Sequence, residues 1–207
     1  MSLINRDTTL RWIELFAAQM DEHRQDLIRL DTAIGDGDHG TNMNRGMQKA
    51  LEKLQAAEQA DPSAVLKTVA MALISSVGGA AGPLYGTLFL QLGTALAGHA
   101  EVDLPTYAAA WRTSVEGVQA RGKAEPGDKT MVDALLPAVA ALEQASDLNT
   151  GLRAAADGAE QGMLATIPLI ARKGRASYLG ERSAGHQDPG STSTYYLFES
   201  AAAAFTS

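Results

Sequence analysis

Cysteine is absent from the 207 residues of this chain, which excludes disulfide bonds, thiolate metal sites and thiol nucleophiles. Positive charge is also scarce, because 17 Lys and Arg stand against 24 Asp and Glu, for a net charge of -7. This balance argues against nucleic acid as a partner, since binding to a phosphate backbone requires a basic surface. Aromatic residues make up only 5% of the chain, and valine and isoleucine are few beside alanine and leucine. Because aromatic and β-branched residues favour strands, this composition favours helices.

The chain also lacks a hydrophobic run long enough to span a membrane. No Asp, Glu, Lys or Arg occurs at 68–100, but two serines, three glycines and a proline interrupt this stretch at 75–83. Each remaining piece is shorter than the ~20 apolar residues that a spanning helix needs. We therefore expect two buried helices joined by a glycine-rich loop, and no membrane association. The first residues include charged side chains instead of the apolar core of a signal peptide, which predicts a cytoplasmic protein.

Apolar residues recur at helical spacing along the chain, whereas no stretch shows the alternation typical of a half-buried strand. Asp-Pro pairs at 61–62 and 188–189 indicate helix starts, because aspartate can cap a helix and proline is tolerated in its first turn. We predict an all-α fold, a compact bundle forming one domain over residues 1–207. The predicted helices lie near residues 7–29, 39–55, 62–77, 83–97, 104–119, 131–145, 150–171 and 190–205.

The loop that follows the first predicted helix places Asp31, Asp36 and Asp38 within eight residues, separated by glycines. At ~5 Å and an effective dielectric constant near 20, each pair of carboxylates repels by roughly 3 kcal/mol. A hard cation removes this repulsion, and Mg²⁺ is commonly held by carboxylates together with substrate phosphates. His39 and Asn42 follow at the predicted start of the next helix, where backbone amides can face an anion. The pattern predicts a metal site, with a solvated acidic turn that caps a helix as the alternative.

Three familiar loop motifs fit this segment poorly. An EF-hand beginning at Asp36 requires a glutamate at the position of Met47, and a Walker A loop requires a lysine at the position of Thr41. The glycine spacing matches a dinucleotide-binding loop, but a predicted helix precedes it where that motif requires a strand.

Three further connections are longer than a bundle requires, at 77–83, 121–130 and 172–190, and function is expected in such loops. The glycines of the first would let a ligand approach the backbone, and the amides of the following helix could hold an anion, although close helix packing explains them equally well. The last concentrates positive charge in an acidic protein, which suits phosphate binding, with pairing to acidic neighbours as the alternative. Its basic residues are Arg172, Lys173, Arg175 and Arg182.

A carboxylate cluster, glycine-rich anion sites and an arginine cluster together suit phosphoryl transfer with a magnesium-bound nucleotide. The chain also resembles a known family. The resemblance lies in four segments, which read GDGDHGTNMNRG, SSVGGAAGPLYGT, RGKAEPGDKTM and KGRASYLGERSAGHQDPG. They look like the signature loops of the nucleotide-binding subunit of dihydroxyacetone kinase, the DhaL family, and they occur in the expected order.

The resemblance implies a barrel of about eight antiparallel helices with the nucleotide site at one end. It implies two Mg²⁺ ions held by Asp31, Asp36 and Asp38. It implies nucleotide contacts from His39, Gly40, Thr41, Asn42, Ala80, Ala81, Gly122, Met131, Arg175, Asp188, Pro189 and Gly190. Among these, Gly122 and Met131 would line the base site, and Arg175 would support phosphoryl transfer. Ala81 stands where relatives often have serine, so a hydroxyl contact to phosphate would be missing.

The implied activity is that of the ADP-holding subunit of a phosphoenolpyruvate-dependent dihydroxyacetone kinase. In such a system a phosphohistidine carrier protein of the phosphotransferase system converts bound ADP to ATP, which phosphorylates dihydroxyacetone on a partner subunit. No residue of this chain becomes covalently phosphorylated, and we expect the dihydroxyacetone-binding domain to be a separate chain. Two alternatives stay open: a subunit of an ATP-dependent split kinase for another small ketose, and a protein that reports its nucleotide state to a transcriptional regulator.

Overall fold

The structure is a computed structural model that describes residues 4–205 and contains nine α-helices within that range. Their bounds are α1 Arg6–Glu22, α2 Arg24–Ile34, α3 His39–Ala56, α4 Pro62–Ser76, α5 Ala81–Ala95, α6 Leu104–Gly122, α7 Val132–Gln144, α8 Leu148–Ala165 and α9 Pro189–Phe205. A 3₁₀ helix covers Arg175–Ser183, and two short strands, β1 (Ile4–Asn5) and β2 (Glu101–Val102), pair antiparallel. Among the helices at 4–205, none is both long and apolar enough to cross a membrane.

Eight of these helices form a closed ring. α1 packs against α3, each helix from α3 to α8 packs against the next one, and α9 packs against both α8 and α1. Consecutive helices from α3 to α9 pack side by side, and every second connection contributes residues to one pocket, as expected of helices that run antiparallel. α2 packs on α3 and α9 and is the one described helix outside this order. The all-α prediction is therefore confirmed, and the ring is the barrel that the resemblance implied.

The prediction of one helix near 7–29 is wrong, because the helix is interrupted at His23 and forms two helices, α1 and α2. The backbone of His23 has φ −93° and ψ 12°, which is outside the helical range, so the chain changes direction there. α2 then extends to Ile34, further than predicted. As a result, Asp31 lies in the last turns of a helix and not in a loop.

The helix predicted near 150–171 is too long, because α8 ends at Ala165. The reason is Pro168, which has no N–H to donate and which disfavours a helical conformation in the residue before it. The predicted 172–190 loop is also more ordered than expected, since it contains the 3₁₀ helix.

Aromatic side chains fill the interior of the ring. Trp12 of α1 lies with its ring centroid 6.0 Å from that of Trp111, 5.9 Å from that of Phe89 and 5.8 Å from that of Phe205. All four side chains are almost completely buried. Trp12 Nε1 donates a hydrogen bond to the Leu197 carbonyl at 2.9 Å, which satisfies its one polar atom. The few aromatic residues of the chain thus tie distant helices into a rigid frame.

The connections alternate between two ends of this frame. One end, which we call the site end, carries the connections α2–α3, α4–α5, α6–α7 and α8–α9. The opposite end, the far end, carries the connections α3–α4, α5–α6 and α7–α8 together with the start of α1. Because every second connection lies at the same end, four loops that are distant in sequence meet at the site end, and they are the four that the sequence singled out.

Candidate functional site

The four loops at the site end enclose a pocket with a polar part and an adjoining apolar part. The polar part is lined by Asp31, Ile34, Gly35, Asp36, Asp38, His39, Gly78, Gly79, Ala80, Ala81, Leu84, Tyr85, Lys129, Thr130, Met131, Lys173, Gly174, Arg175, Ala176, Asp188, Pro189 and Gly190. The apolar part is lined by Ala80, Pro83, Leu84, Val118, Arg121, Gly122, Ala124, Thr130, Met131, Val132, Lys173 and Gly174. Six residues line both parts, so the two form one continuous surface.

Three carboxylates converge at the polar part. Asp31, Asp36 and Asp38 each offer an oxygen that lies within 4.8 Å of those of the other two. Asp31 is buried, and its Oδ2 accepts hydrogen bonds from the backbone amides of Asp38 at 2.8 Å and His39 at 3.0 Å. Asp36 and Asp38 are exposed. The cluster therefore has a fixed, buried member and two solvent-facing members, and its all-oxygen donor set suits a hard divalent cation.

Gly35 lies tightly against this cluster. A Cβ atom added to Gly35 would lie 2.1 Å from Oδ1 of Asp31 and would displace that carboxylate. Gly37 has φ +74°, in the left-handed region that glycine tolerates. These two glycines let the loop fold back tightly enough for Asp36 and Asp38 to face Asp31.

A buried hydrogen-bond chain supports the start of α3 from behind. His39 Nε2 lies 2.9 Å from Oγ of Ser193, and that hydroxyl lies 2.7 Å from the Tyr85 hydroxyl, so α3, α9 and α5 are joined. Burial lowers the pKa of His39 to about 4, against the attraction of the Asp31 carboxylate. Burial also raises the pKa of Tyr85 to about 12. Both side chains are consequently neutral near pH 7, and the three carboxylates receive no compensating charge from His39.

Three helices begin at the pocket without a side-chain cap from the preceding residue, and two of them leave first-turn amides for a ligand. α3, α5 and α7 begin after Asp38, Ala80 and Met131, and none of these residues forms a side-chain cap. In α7, however, the first amide, that of Val132, already donates to the Thr130 hydroxyl, so the open starts are those of α3 and α5. The amides in the first turn of such a helix have no partner within the helix, and the helix dipole favours an anion there. Gly79 has φ +65°, and no atom lies within 4 Å of the point that a Cβ would occupy there, so the approach to α5 is open. The site end thus combines a cation site with anion sites.

Asp188 caps α9 from inside the pocket. Its Oδ2 accepts a hydrogen bond from the Ser191 amide at 2.6 Å. Burial raises the pKa of Asp188 to about 7; the Ser191 bond opposes this, and the Asp133 carboxylate adds to it. A carboxyl group that titrates this close to neutrality marks a desolvated position in a cleft, which is typical of functional sites.

Arg175, a predicted site residue of the basic loop at 172–190, reaches the acidic cluster. Its Nε lies 2.8 Å from Oδ2 of Asp36. Its side chain is 67% exposed and that of Asp36 is 34% exposed, so the pair forms the rim of the pocket while Asp31 and Asp188 form its floor. A guanidinium group has five donors, and this pairing employs one of them.

Twelve of the fifteen predicted site residues line the pocket, and three do not. Those lining its polar or apolar part are Asp31, Asp36, Asp38, His39, Ala80, Ala81, Gly122, Met131, Arg175, Asp188, Pro189 and Gly190. Asn42 is buried close to Gly78, at the edge of the pocket. Gly40 instead packs against α2, where a Cβ would lie 2.3 Å from the Arg24 carbonyl, and Thr41 is exposed on α3.

Sequence reasoning did not single out Lys129, which lines the polar part of the pocket and is 1% exposed. Thr130 and Tyr85 were likewise not assigned to the site. The signal for Lys129 was present, because it stands in the RGKAEPGDKTM segment immediately before the predicted base-site residue Met131. Its burial could not be read from that segment, because the groups that surround it come from distant parts of the chain.

Comparison with known proteins places this geometry among kinases. The family described as the DAK2 domain matches residues 33–203. The chain is 44% identical over 200 residues to the PEP-dependent dihydroxyacetone kinase, ADP-binding subunit DhaL, of Escherichia coli (strain K12), with 95% of each chain covered. It is 43% identical over 197 residues to the PTS-dependent dihydroxyacetone kinase, ADP-binding subunit DhaL, of Lactococcus lactis subsp. lactis (strain IL1403), covering 95% of this chain and 96% of the other.

A solved structure shares the fold as well. The crystal structure of the dihydroxyacetone kinase from C. freundii in complex with AMP-PNP and Mg²⁺ matches with a TM-score of 0.69 and 25% identity, over 93% of this chain. This chain corresponds to 33% of that longer one. The helical ring described above is therefore also found as part of a larger kinase chain.

Proposed function

The chain belongs to the DAK2 domain family, and from this premise we propose that it is the nucleotide-binding subunit of a phosphoenolpyruvate-dependent dihydroxyacetone kinase. In this role it holds Mg-ADP as a cofactor, accepts a phosphoryl group from a phosphohistidine carrier protein and delivers it to dihydroxyacetone on a partner subunit. The observation that carries the proposal is the meeting of three carboxylates with the open starts of α3 and α5 in one pocket. The two ADP-binding subunits described above, which align with this chain over nearly their whole length, support it.

Asp31, Asp36 and Asp38 are the residues that would hold Mg²⁺, and we expect two ions. A bound cation would neutralise charge on the carboxylates and on the phosphates of the nucleotide. Asp31 is preorganised for this because two backbone amides fix one of its oxygens. Without the cation the three carboxylates repel one another, so metal and nucleotide should bind and leave together.

The chain's own groups would then orient the nucleotide. The amides of the first turns of α3 and α5 would receive phosphate oxygens, and the apolar part of the pocket, with Gly122 and Met131, would receive the base. Arg175, on the exposed rim, would move between Asp36 and the transferred phosphoryl group. Because the floor of the pocket is buried and the rim is exposed, the terminal phosphate position would remain accessible to two partners in turn.

The two partners are part of the proposal. Transfer from the carrier breaks an N–P bond and forms an O–P bond to ADP, and transfer to the ketone breaks that O–P bond and forms one to the hydroxyl oxygen of dihydroxyacetone. None of the residues that line the pocket needs to be phosphorylated in either step. The regulatory role, in which a transcriptional regulator reads the nucleotide state, stays a prediction.

The proposal is tested by the nucleotide content of the protein purified without added nucleotide. Native and denaturing mass spectrometry should show about one ADP per chain, released by acid and lost after treatment with EDTA, because without the cation the carboxylates and the diphosphate would repel each other. Asp36→Asn should abolish this retention and the kinase activity, while circular dichroism shows an unchanged helical fold. Asp147→Asn is the matched control, since Asp147 caps α8 at the far end and asparagine caps a helix equally well.

Other outcomes point elsewhere. An empty protein that binds ATP weakly and reversibly would favour an ATP-dependent split kinase. Near-normal ADP retention by Asp36→Asn would remove Asp36 from the metal site. A protein that binds no nucleotide even with Mg²⁺ present would contradict the proposal as a whole.

A further inference from the structure

One buried cation in the pocket wall has no part in the function proposed above. The Lys129 ammonium donates hydrogen bonds to the backbone carbonyls of Thr166 at 2.7 Å, Leu169 at 3.0 Å and Ile167 at 3.3 Å. It also donates to the carbonyl of His186 at 2.5 Å. An ammonium group has three N–H donors, so four carbonyls surround it more as ligands surround an ion than as single acceptors pair with single donors.

The four carbonyls lie on the two sides of one neck, with those of Thr166, Ile167 and Leu169 on one side and that of His186 on the other. Between the two sides the chain makes an excursion at 170–184, which we call the Arg175 loop. The amide of Gly185 donates to the Ile167 carbonyl at 2.8 Å, so the two ends of this loop also touch directly. The loop carries Arg175, which reaches Asp36 of the acidic cluster. Lys129 therefore holds together the base of the segment that brings a positive charge to the metal site.

The backbone at Lys129 supports a specific requirement for this side chain. Lys129 has φ +63°, in the left-handed region that lysine rarely adopts and that glycine or asparagine adopts more easily. Asp133 fixes this local conformation by accepting hydrogen bonds from the amides of Gly127 at 2.5 Å and Thr130 at 2.7 Å. A lysine kept where a glycine would be less strained indicates that its ammonium is needed.

The surroundings are those of a monovalent cation site. Rings of backbone carbonyls are the ligands by which K⁺ is held in channel filters. Here the cation is covalently attached to the chain, and burial lowers the pKa of Lys129 while the nearby Asp188 carboxylate acts in the opposite direction. The carbonyl cluster would remain if the lysine side chain were shortened.

We propose that Lys129 is a tethered monovalent cation whose ammonium occupies a carbonyl site at the neck of the Arg175 loop and thereby positions Arg175 for the nucleotide. Lys129 is thus a positioning residue. The consequence for the nucleotide rests on the proposed function, whereas the existence of the carbonyl site does not.

The test exchanges the tethered cation for a free one. Lys129→Ala is compared with the unsubstituted chain in tetramethylammonium, potassium and ammonium chloride at equal ionic strength. In tetramethylammonium, which is too large for the site, the thermal midpoint of the variant should fall by about 5–10 °C. Its dissociation constant for Mg-ADP should rise about tenfold, as expected when buried acceptors lose their partner. Potassium or ammonium should restore much of the thermal midpoint and of the affinity for Mg-ADP. The unsubstituted chain should have the same midpoint and the same affinity in all three salts.

Two variants serve as controls. Lys129→Met fills the space with an apolar side chain and should be destabilised without rescue by any cation. Lys173→Ala removes another lysine of the pocket, one that is only half-buried, and its stability should not depend on which of the three salts is present. A general salt effect would move all variants together and is thereby distinguished from occupation of the site.

A folded Lys129→Ala protein that shows the same midpoint in the three salts would overturn the inference. If that variant does not fold in any salt, the decision passes to the unsubstituted chain, in which NMR should detect a slowly exchanging ammonium signal that is missing in Lys129→Arg. An Nζ signal that exchanges freely with water would also overturn it. If the unsubstituted chain binds no nucleotide, the proposed function fails, yet the thermal measurement still decides the cation site.

Discussion

The two ends of the helical ring begin their helices in opposite ways. At the far end α1, α4, α6 and α8 each start with a side-chain cap on the backbone. In each cap a side-chain oxygen accepts a hydrogen bond from the backbone amide three residues later. The pairs are Asn5 with Thr8 at 3.0 Å, Asp61 with Ala64 at 2.8 Å, Asp103 with Thr106 at 3.0 Å and Asp147 with Thr150 at 2.9 Å. At the site end the residues that precede α3, α5 and α7 form no such cap, whereas Asp188 caps α9.

This difference separates stability from binding within one fold. Capping side chains satisfy amides that would otherwise lack a partner, so the far end is complete in itself. At the site end the starts of α3 and α5 leave first-turn amides for a ligand, whereas the first amide of α7 donates to the Thr130 hydroxyl. Backbone conformations follow the same division, since every described residue with a positive φ except Gly98 lies in a connection at the site end or next to it. Strained loops and uncapped helices are tolerated there because the far end and the aromatic core hold the ring together.

The largest effect that we predict is on the pH dependence of stability, and it concerns Asp188, which caps α9 at the site end. Burial raises the pKa of Asp188 to about 7. A carboxyl group whose pKa is higher in the folded state contributes stability below its unfolded pKa and loses it as the pH rises through the folded pKa. Asp188→Asn keeps a capping oxygen but removes this titration. The unsubstituted chain should therefore lose stability between pH 4 and pH 7 that the variant keeps. Over this range the free energy of unfolding of the variant, minus that of the unsubstituted chain, should rise by about 2–4 kcal/mol.

The measurement is urea unfolding of metal-free protein in EDTA at several pH values. The two proteins are compared by the difference in their free energies of unfolding, because His39 changes the stability of both with pH in the opposite direction and its contribution cancels. Its pKa is lowered to about 4, so its contribution is present above its unfolded pKa and is lost as the pH falls. Parallel curves for the two proteins would mean that Asp188 is solvated and ionised throughout this range.

A smaller effect is expected when the far end is damaged. Asp61→Ala removes the cap of α4 and should cost about 1 kcal/mol, which lowers the thermal midpoint by roughly 2–4 °C. ADP retention at a temperature where the variant is folded should not change, because the far end takes no part in binding. Asp61→Asn is the control and should be close to neutral. Loss of ADP from folded Asp61→Ala would break the division between the two ends.

The features that could be predicted from the sequence are local ones. Asp61-Pro62 correctly predicted the start of α4, because a capping residue and the helix that it caps are neighbours in the chain. The acidic cluster could likewise be predicted, since Asp31, Asp36 and Asp38 are close in sequence and glycines let the chain fold back between them. Pro168 also carried a local signal, and the predicted length of α8 was wrong because that signal was overlooked.

Features that depend on distant contacts could not be predicted in this way. The four carbonyls around Lys129 lie 37 to 57 residues further along the chain. The close approach of Gly40 to the Arg24 carbonyl, for example, follows from the packing of α2 on α3 and has no local signal in the sequence. The assignment of the individual nucleotide contacts stays a prediction, which the substitution of a single pocket residue can test.

The smallest expected effect concerns Ala81, the first residue of α5 and part of the pocket lining. Ala81→Ser adds a hydroxyl group at the uncapped end of this helix, where it could donate to a phosphate oxygen. One additional hydrogen bond of this kind contributes about 0.5–1 kcal/mol, so Mg-ADP should bind about two- to fivefold more tightly in calorimetric titrations. Ala95→Ser, at the exposed far-end terminus of the same helix, is the control and should leave the affinity unchanged. If Ala81→Ser folds normally but binds Mg-ADP no better, the side chain at this position does not face the phosphates. The backbone amides of α5 would then be its whole contribution, which would draw the contrast with the capped far end more sharply.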